Sequence, residues 1–135
     1  MEFRFNKSGI CLNPVIKVSL EKGPQHIIIG VAQTPGGEWS NSLDYRVDTC
    51  GGGYGACLRE TSRGLFPNER EAVCSALEYM KSVIQREIKD IAGRREMDDY
   101  GRVVNTSKRL SELKWFLARV EDKLEFFDPV QMTLF

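Results

Sequence analysis

The first half of the chain alternates between apolar and polar residues with a period of two. Residues 15–20 and 39–47 show this alternation, and residues 26–32 form an apolar, β-branched run between them. The turn sequences Gly23-Pro24 and Pro35-Gly36-Gly37 separate the three segments. Three consecutive strands joined by short turns predict an antiparallel β-meander, covered on one face and wetter on the other.

The alternation also assigns side chains to the two faces of the predicted sheet. In the first strand, Ile16, Val18 and Leu20 share the apolar face. In the third strand the expected inner residues are Trp39, Asn41, Leu43, Tyr45 and Val47, and the expected outer residues are Glu38, Ser40, Ser42, Asp44 and Arg46.

A glycine run, Gly51-Gly52-Gly53-Tyr54-Gly55, interrupts the strand pattern. Such glycines typically supply unusual backbone angles or a bulge, and the run lacks the Gly-Lys-Ser/Thr ending of a phosphate-binding loop. Residues 56–58 after it predict one last short strand, and Phe3 and Phe5 predict another at the start. The sheet is therefore expected to have three to five strands.

Helical spacing replaces the period of two after residue 67. Asn68 is the expected N-cap of a first helix, Glu71 follows three residues later as in a capping box, and Gly93 is the expected stop. The apolar stripe of this helix comprises Ala72, Val73, Ala76, Leu77, Met80, Val83, Ile84, Ile88 and Ile91.

A second helix is expected to begin near Thr106. Its apolar residues are spaced alternately three and four apart, like the seam of a coiled coil: Leu110, Leu113, Leu117, Val120, Leu124 and Phe127. The favoured interpretation is that this seam packs on the first helix or on the sheet. The alternative is a homodimer built on the first five of these residues, because Trp115 and Phe116 lie off the seam and give the helix surplus apolar surface.

These elements predict one α+β domain over residues 1–128, an antiparallel β-meander followed by two long helices. The 135 residues, 41% hydrophobic and 28% charged, fit a single globular domain. Nineteen basic and nineteen acidic side chains cancel, so general attraction to nucleic-acid phosphates is not expected. The apolar run 27–29 is too short to span a membrane and the first residues lack a signal-peptide pattern, so a cytoplasmic location is expected.

Candidate chemistry is sparse. The cysteines Cys11, Cys50, Cys57 and Cys74 form no Cys-x-x-Cys pair; a disulfide or metal contribution from the two that flank the glycine run stays open, but four unconnected thiols are favoured. Zinc needs about four ligands in close array. The only histidine, His26, has no carboxylate or nucleophile partner evident in the sequence. No cofactor, metal site or catalytic set is predicted, and an enzyme acting on nucleotides at the glycine run ranks last.

A modest basic patch is expected in and after the link between the two predicted helices. Its members are Arg94, Arg95, Arg102, Lys108 and Arg109. They are candidate contacts to nucleic acid, although a solvated charged surface is the default for such a patch.

The segment 129–135 is expected to be extended, because Pro129 disfavours a helical residue before it. Its last residues are Gln131, Met132, Thr133, Leu134 and Phe135. Gln-x-x-Leu-Phe resembles the peptide by which bacterial polymerases, repair proteins and many phage proteins dock on the DNA sliding clamp. Met132 stands where leucine is usual, and Thr133 takes the small polar place.

The clamp-peptide resemblance implies that Leu134 and Phe135 enter an apolar pocket of the clamp while the Gln131 amide hydrogen-bonds at its rim. The alternative is that the two apolar residues fold back to complete the core or a dimer contact.

Residues 26–84 also contain a second pattern: Trp39, Tyr45, the glycine run, and Phe66 before Glu71-Ala72. In this arrangement the segment resembles small uncharacterised proteins of phages and mobile elements, encoded near DNA-processing functions. This likeness implies a setting in DNA metabolism. The leading hypothesis is an accessory protein of replication or repair recruited to the sliding clamp. The alternatives are a nucleic-acid-binding module that uses the sheet face or the basic link, and a structural homo-oligomer.

Overall fold

The computed structural model describes residues 2–58, 64–92 and 106–127. These ranges contain β1 (Val15–Lys22), β2 (Gln25–Gln33), β3 (Trp39–Val47), β4 (Cys50–Tyr54), α1 (Glu69–Ala92) and α2 (Thr106–Phe127). The strands lie in the order β1-β2-β3-β4, and each neighbouring pair is antiparallel. The predicted α+β fold, a meander followed by two long helices, is confirmed.

One main hydrophobic core lies between the inner face of the sheet and the two helices. α1 contacts β2 and β3, while α2 contacts α1 and β1. Fully buried side chains come from all of these layers and include Ile27, Ile29, Leu77, Met80, Ile84, Leu113 and Phe116. Burial of this apolar surface is the main force that holds helices and sheet together.

A β-bulge in β1 overturns part of the predicted face assignment. Ile16 pairs with Gly30 and Val18 pairs with Ile29, so Lys17 is an extra residue with no opposite residue in β2. The bulge rotates the start of the strand, and Ile16 is 52% exposed instead of buried. Val18 does reach the core. Ile16 lies over Gly30 on the outer face, where its Cδ1 is 3.3 Å from the position a Cβ would take.

The glycine run forms a strand and does not interrupt the sheet. Gly52 pairs with Tyr45, whose ring lies 3.3 Å from the position a Cβ at Gly52 would occupy. A Cβ at Gly53 would lie 2.6 Å from the Leu43 carbonyl oxygen, so the backbones approach more closely than other residues allow. The prediction of a short strand at residues 56–58 is wrong, because only a single bridge forms there, between Ile10 and Cys57.

The N-terminal segment covers part of the outer sheet face. Phe5 makes a single bridge with Cys11, so the extra strand expected at the start is also reduced to one bridge. Phe3 and Phe5 pack on a small second cluster made of Cys11, Ala32 and Ala56. Under this cover Ser40, expected on the wetter face, is buried, and its hydroxyl accepts a hydrogen bond from the Cys57 N–H at 2.9 Å.

α1 begins as its sequence indicates. The Asn68 side-chain oxygen accepts a hydrogen bond from the Glu71 N–H at 2.8 Å, which confirms the predicted N-cap. The predicted apolar stripe is buried at Ala72, Val73, Ala76, Leu77, Met80, Val83, Ile84 and Ile91. Gly93, the expected stop, lies outside the described residues.

The leucine seam of α2 packs within the chain. Leu113 and Val120 are fully buried in the main core, and Leu110, Leu117 and Leu124 pack against the same core while partly exposed. Phe116, expected off the seam, is also fully buried, because the face that α2 turns inward is wider than a strict seam. The favoured interpretation, packing on the first helix or the sheet, agrees with this arrangement.

Candidate functional site

Most of the residues singled out for function lie outside the described ranges. This applies to the whole tail motif, Gln131, Met132, Thr133, Leu134 and Phe135, and to three members of the basic patch, Arg94, Arg95 and Arg102. Of that patch, Lys108 and Arg109 are described, both in the first turn of α2. The described geometry therefore bears on the folded body, whose polar arrangements include an ion pair on α2, a histidine–aspartate pair on the sheet and a tryptophan with two cationic neighbours.

The first arrangement joins α2 to the turn between β3 and β4. Arg109 donates from Nε to Asp48 Oδ1 at 2.8 Å and from Nη2 to Asp48 Oδ2 at 2.7 Å, a two-pronged ion pair. The Asp48 side chain is only 7% exposed. Asp48 also has a φ of 56°, a left-handed conformation that aspartate tolerates better than most residues. The ion pair thus holds a strained turn against the helix.

Gln25 extends this arrangement to the start of β2. Its side-chain oxygen accepts a hydrogen bond from the Asp48 N–H at 2.6 Å. Its side-chain amide donates to the Glu112 carboxylate on α2. Gln25, Asp48, Arg109 and Glu112 are called the polar clasp below. The clasp links three separate parts of the chain at one end of the sheet.

The electrostatics of the clasp are those of a structural ion pair. Hydrogen bonds from Arg109, reinforced by its charge, hold the pKa of Asp48 below its ordinary value of 3.8, although burial of the carboxylate acts in the opposite direction. The same contact raises the pKa of the Arg109 guanidinium. Because Asp48 occupies the guanidinium, Arg109 is a poorer candidate for phosphate contact than its place in the sequence indicated. Lys108 is exposed on the same turn.

The second arrangement lies on the outer face of the sheet. His26 Nε2 is 3.0 Å from Asp44 Oδ1, a pair that sequence reasoning missed because the two residues are 18 positions apart and meet only through the β2–β3 register. They line a shallow hollow of about 250 Å³ together with Glu21, Gly23, Pro24, Gln25 and Ile28. Asp44 is 70% exposed, and within the described ranges no cluster of three metal-binding side chains forms. The pair alone supplies no reaction centre.

The third arrangement surrounds Trp115 of α2, which is partly buried and packs against the main core. The Lys22 ammonium is 5.1 Å and the Arg119 guanidinium 5.5 Å from the centre of its indole ring. Contacts of this kind at a partly exposed site stabilise by about 0.5–1 kcal/mol each. Trp115, expected to be surplus apolar surface, therefore has cationic neighbours of its own chain.

The chain matches no protein-family model, no curated protein and no solved structure. Neither of the described helices is long and apolar enough to cross a membrane. The described body supplies structural polar contacts, and the most specific pattern on which a function can be proposed is the sequence 131–135.

Proposed function

We propose that this chain is an accessory interaction protein of DNA replication or repair, of phage or mobile-element origin, recruited to the bacterial sliding clamp through residues 131–135. The observation that carries the proposal is the sequence Gln131-Met132-Thr133-Leu134-Phe135 directly after Val130 and the helix-breaking Pro129. The DNA sliding clamp is the proposed partner.

The chemistry of these five residues suits docking in an extended conformation. Leu134 and Phe135 are adjacent apolar anchors, and such anchors contribute most of the binding free energy of a short peptide. Gln131 adds a side-chain amide that both donates and accepts hydrogen bonds at the rim of a pocket. Thr133 is small enough to cross the rim without entering the pocket.

The packing of the body supports the proposal. Leu113, Phe116 and Val120 of α2 are buried in one core with α1 and the sheet, so the inward face of the helix has apolar cover from these elements. Phe126, in the last turn of α2, is 75% exposed, which puts that end of the helix at the surface. A partner can therefore approach the region from which the docking peptide follows.

The test is a calorimetric titration of purified sliding clamp with the full chain. The double variant Leu134→Ala/Phe135→Ala is expected to bind at least about 100-fold more weakly, because each anchor contributes about 2 kcal/mol. Gln131→Ala is expected to bind roughly tenfold more weakly through loss of its hydrogen bonds. Phe126→Ala is the matched control: it removes an exposed phenylalanine five positions before Gln131 in the sequence and should leave clamp affinity unchanged.

Two outcomes oppose the proposal. The first is no heat of binding between the intact chain and the clamp at concentrations where other clamp peptides bind. The second is a double variant that binds the clamp as tightly as the wild type, which would move the contact to the folded body.

A further inference from the structure

The two edges of the sheet differ in their protection against pairing with another strand. Edge strands of soluble proteins are usually blunted by bulges and charged side chains. β1 has both: a bulge at Lys17 and the charged residues Lys17, Glu21 and Lys22. β4 has neither, because its register with β3 runs without a shift and its sequence is Cys-Gly-Gly-Gly-Tyr. β4 is therefore an unprotected edge.

The backbone groups of β4 that face outward can be identified from the ladder. The carbonyl oxygens of Leu43 and Tyr45 lie 2.6 and 3.4 Å from the Cβ positions of Gly53 and Gly51, so they point toward β4. In an antiparallel ladder each residue directs both its N–H and its C=O to the same side, and the side alternates along the strand. Gly52 thus pairs with β3, whereas the N–H and C=O of Gly51 and Gly53 point away from the sheet.

These outward groups have no partner within the described ranges. Among those residues, no backbone hydrogen bond outside the regular ladders involves Gly51 or Gly53. Both glycines are exposed. The edge therefore presents two donors and two acceptors at the spacing of a β-ladder.

We propose that β4 pairs with β4 of a second copy of this chain, antiparallel about a twofold axis at Gly52. Two four-stranded sheets then become one continuous sheet. The axis puts Gly51 opposite Gly53 of the second copy, so each N–H faces a carbonyl of opposite partial charge. The three central residues of β4 are glycines, so the strand itself places no side chain at the axis, and the Tyr45 ring covers Gly52 from the inner face.

The inner face of β4 favours a second copy over a short peptide as occupant. Cys50 and Tyr54 are only partly buried where the core reaches its margin, and Tyr79 of α1 packs edge-on to Tyr45 with ring centres 6.3 Å apart. A twofold axis perpendicular to the sheet keeps the helices of both copies on the same side. The two apolar margins then adjoin, with Cys50 of one copy opposite Tyr54 of the other.

The size of a stable interface points in the same direction. Specific dimers bury about 1,200 Å² or more in total, which a five-residue strand does not reach alone. A second copy also brings its Cys50 and Tyr54 side chains into the interface, whereas a short extended peptide adds only the contact between strands.

The first test is the molar mass of the full chain by size-exclusion chromatography with light scattering over a range of concentrations. The expected mass is twice 15.4 kDa at high concentration and falls toward 15.4 kDa on dilution. Gly51→Pro is expected to give monomer, because proline removes an outward N–H and blocks a neighbouring strand without removing a bond to β3. Glu21→Pro, at an outward position of β1, is the matched control and should remain dimeric.

The second test fixes the register and does not depend on the proline variants folding. In the proposed pairing, Tyr54→Cys faces the native Cys50 of the second copy, so mild oxidation with diamide should yield a covalent dimer. The variant Cys50→Ala/Tyr54→Cys should not cross-link. A wild-type chain that is monomeric at every concentration overturns the proposal. So does a dimer that survives Gly51→Pro in folded form, or cross-linking that is equal in the two cysteine variants.

Discussion

The folded body and the segment 131–135 carry different kinds of information. In the body, stability comes from many apolar side chains shared among layers, and no described side chain by itself indicates an activity. In the segment 131–135, hydrophobic periodicity indicates nothing, and the identity of a few residues carries the proposed function. Under the proposed function, stability and recruitment depend on separate stretches of the chain. Substitutions in one stretch should therefore leave the measured property of the other unchanged.

The largest expected effect on the body is the loss of Phe116. Its side chain is fully buried between α2 and the rest of the core, so Phe116→Ala should lower the free energy of unfolding by about 3–5 kcal/mol in a urea titration. The control Phe126→Ala, at a residue 75% exposed, should change it by less than about 0.5 kcal/mol. The clamp affinity of folded Phe116→Ala should equal that of the wild type. Weaker clamp binding by this variant would mean that the core of the body contributes to clamp binding.

Breaking the polar clasp should have the next largest effect. Asp48→Asn removes the ion pair with Arg109 and should lower the free energy of unfolding by about 2 kcal/mol, because two charge-assisted hydrogen bonds weaken. Asparagine tolerates the positive φ of this turn, so the loss reports the ion pair and not backbone strain. Equal stability of the variant and the wild type would mean that the clasp does not hold the turn.

The same clasp gives a pH dependence of known sign. The pKa of Asp48 is lower in the folded chain than its ordinary value of 3.8, so its contribution is fully present above that pH. The contribution is lost as the pH falls through the lower folded-state pKa. The stability difference between wild type and Asp48→Asn should therefore be constant near neutral pH and shrink in acid. Asp122→Asn, at the exposed Arg119–Asp122 pair, is the matched control and should leave the free energy of unfolding almost unchanged.

Removing the N-cap of α1 should have a smaller effect. Asn68→Ala loses the acceptor for the Glu71 N–H and should lower the free energy of unfolding by about 1 kcal/mol. Asn68→Asp keeps an acceptor and is the control, with stability close to that of the wild type. A full loss in the aspartate variant would mean that the cap acts by something other than this hydrogen bond.

The smallest expected effect tests the bulge of β1. Ile16→Ala should change the free energy of unfolding by about 0.5 kcal/mol or less, because Ile16 is 52% exposed. Val18→Ala, at a residue 2% exposed on the same strand, should cost more than that. A larger loss of stability in Ile16→Ala than in Val18→Ala would mean that Ile16 is buried in the core, as simple alternation predicts.

Local sequence patterns were sufficient for most of the fold. The stripe and cap of α1 were predictable because a helix is specified by residues three and four positions apart, as Asn68 and Glu71 illustrate. The meander was predictable because period-two segments joined by short turns pair with their neighbours in sequence. The bulge at Lys17 was not, because alternation indicates which residues are apolar but not where the pairing shifts.

The other features that the sequence did not predict come from contacts between residues far apart in the chain. Gly52 lies in a strand under the Tyr45 ring, a contact that requires the β3–β4 register. Asp44 meets His26, and Asp48 meets Arg109, only after strands and helices are placed in space. None of these polar pairs has a local sequence signal. The docking segment 131–135 is the opposite case, since its proposed role depends on residue identity alone.

The most direct measurement pairs clamp binding with thermal stability for one variant, Leu134→Ala/Phe135→Ala. Its dissociation constant for the sliding clamp should rise at least about 100-fold while its melting temperature equals that of the wild type. A lower melting temperature with unchanged clamp affinity would contradict the account, because Leu134 and Phe135 would then belong to the core and not to a docking peptide.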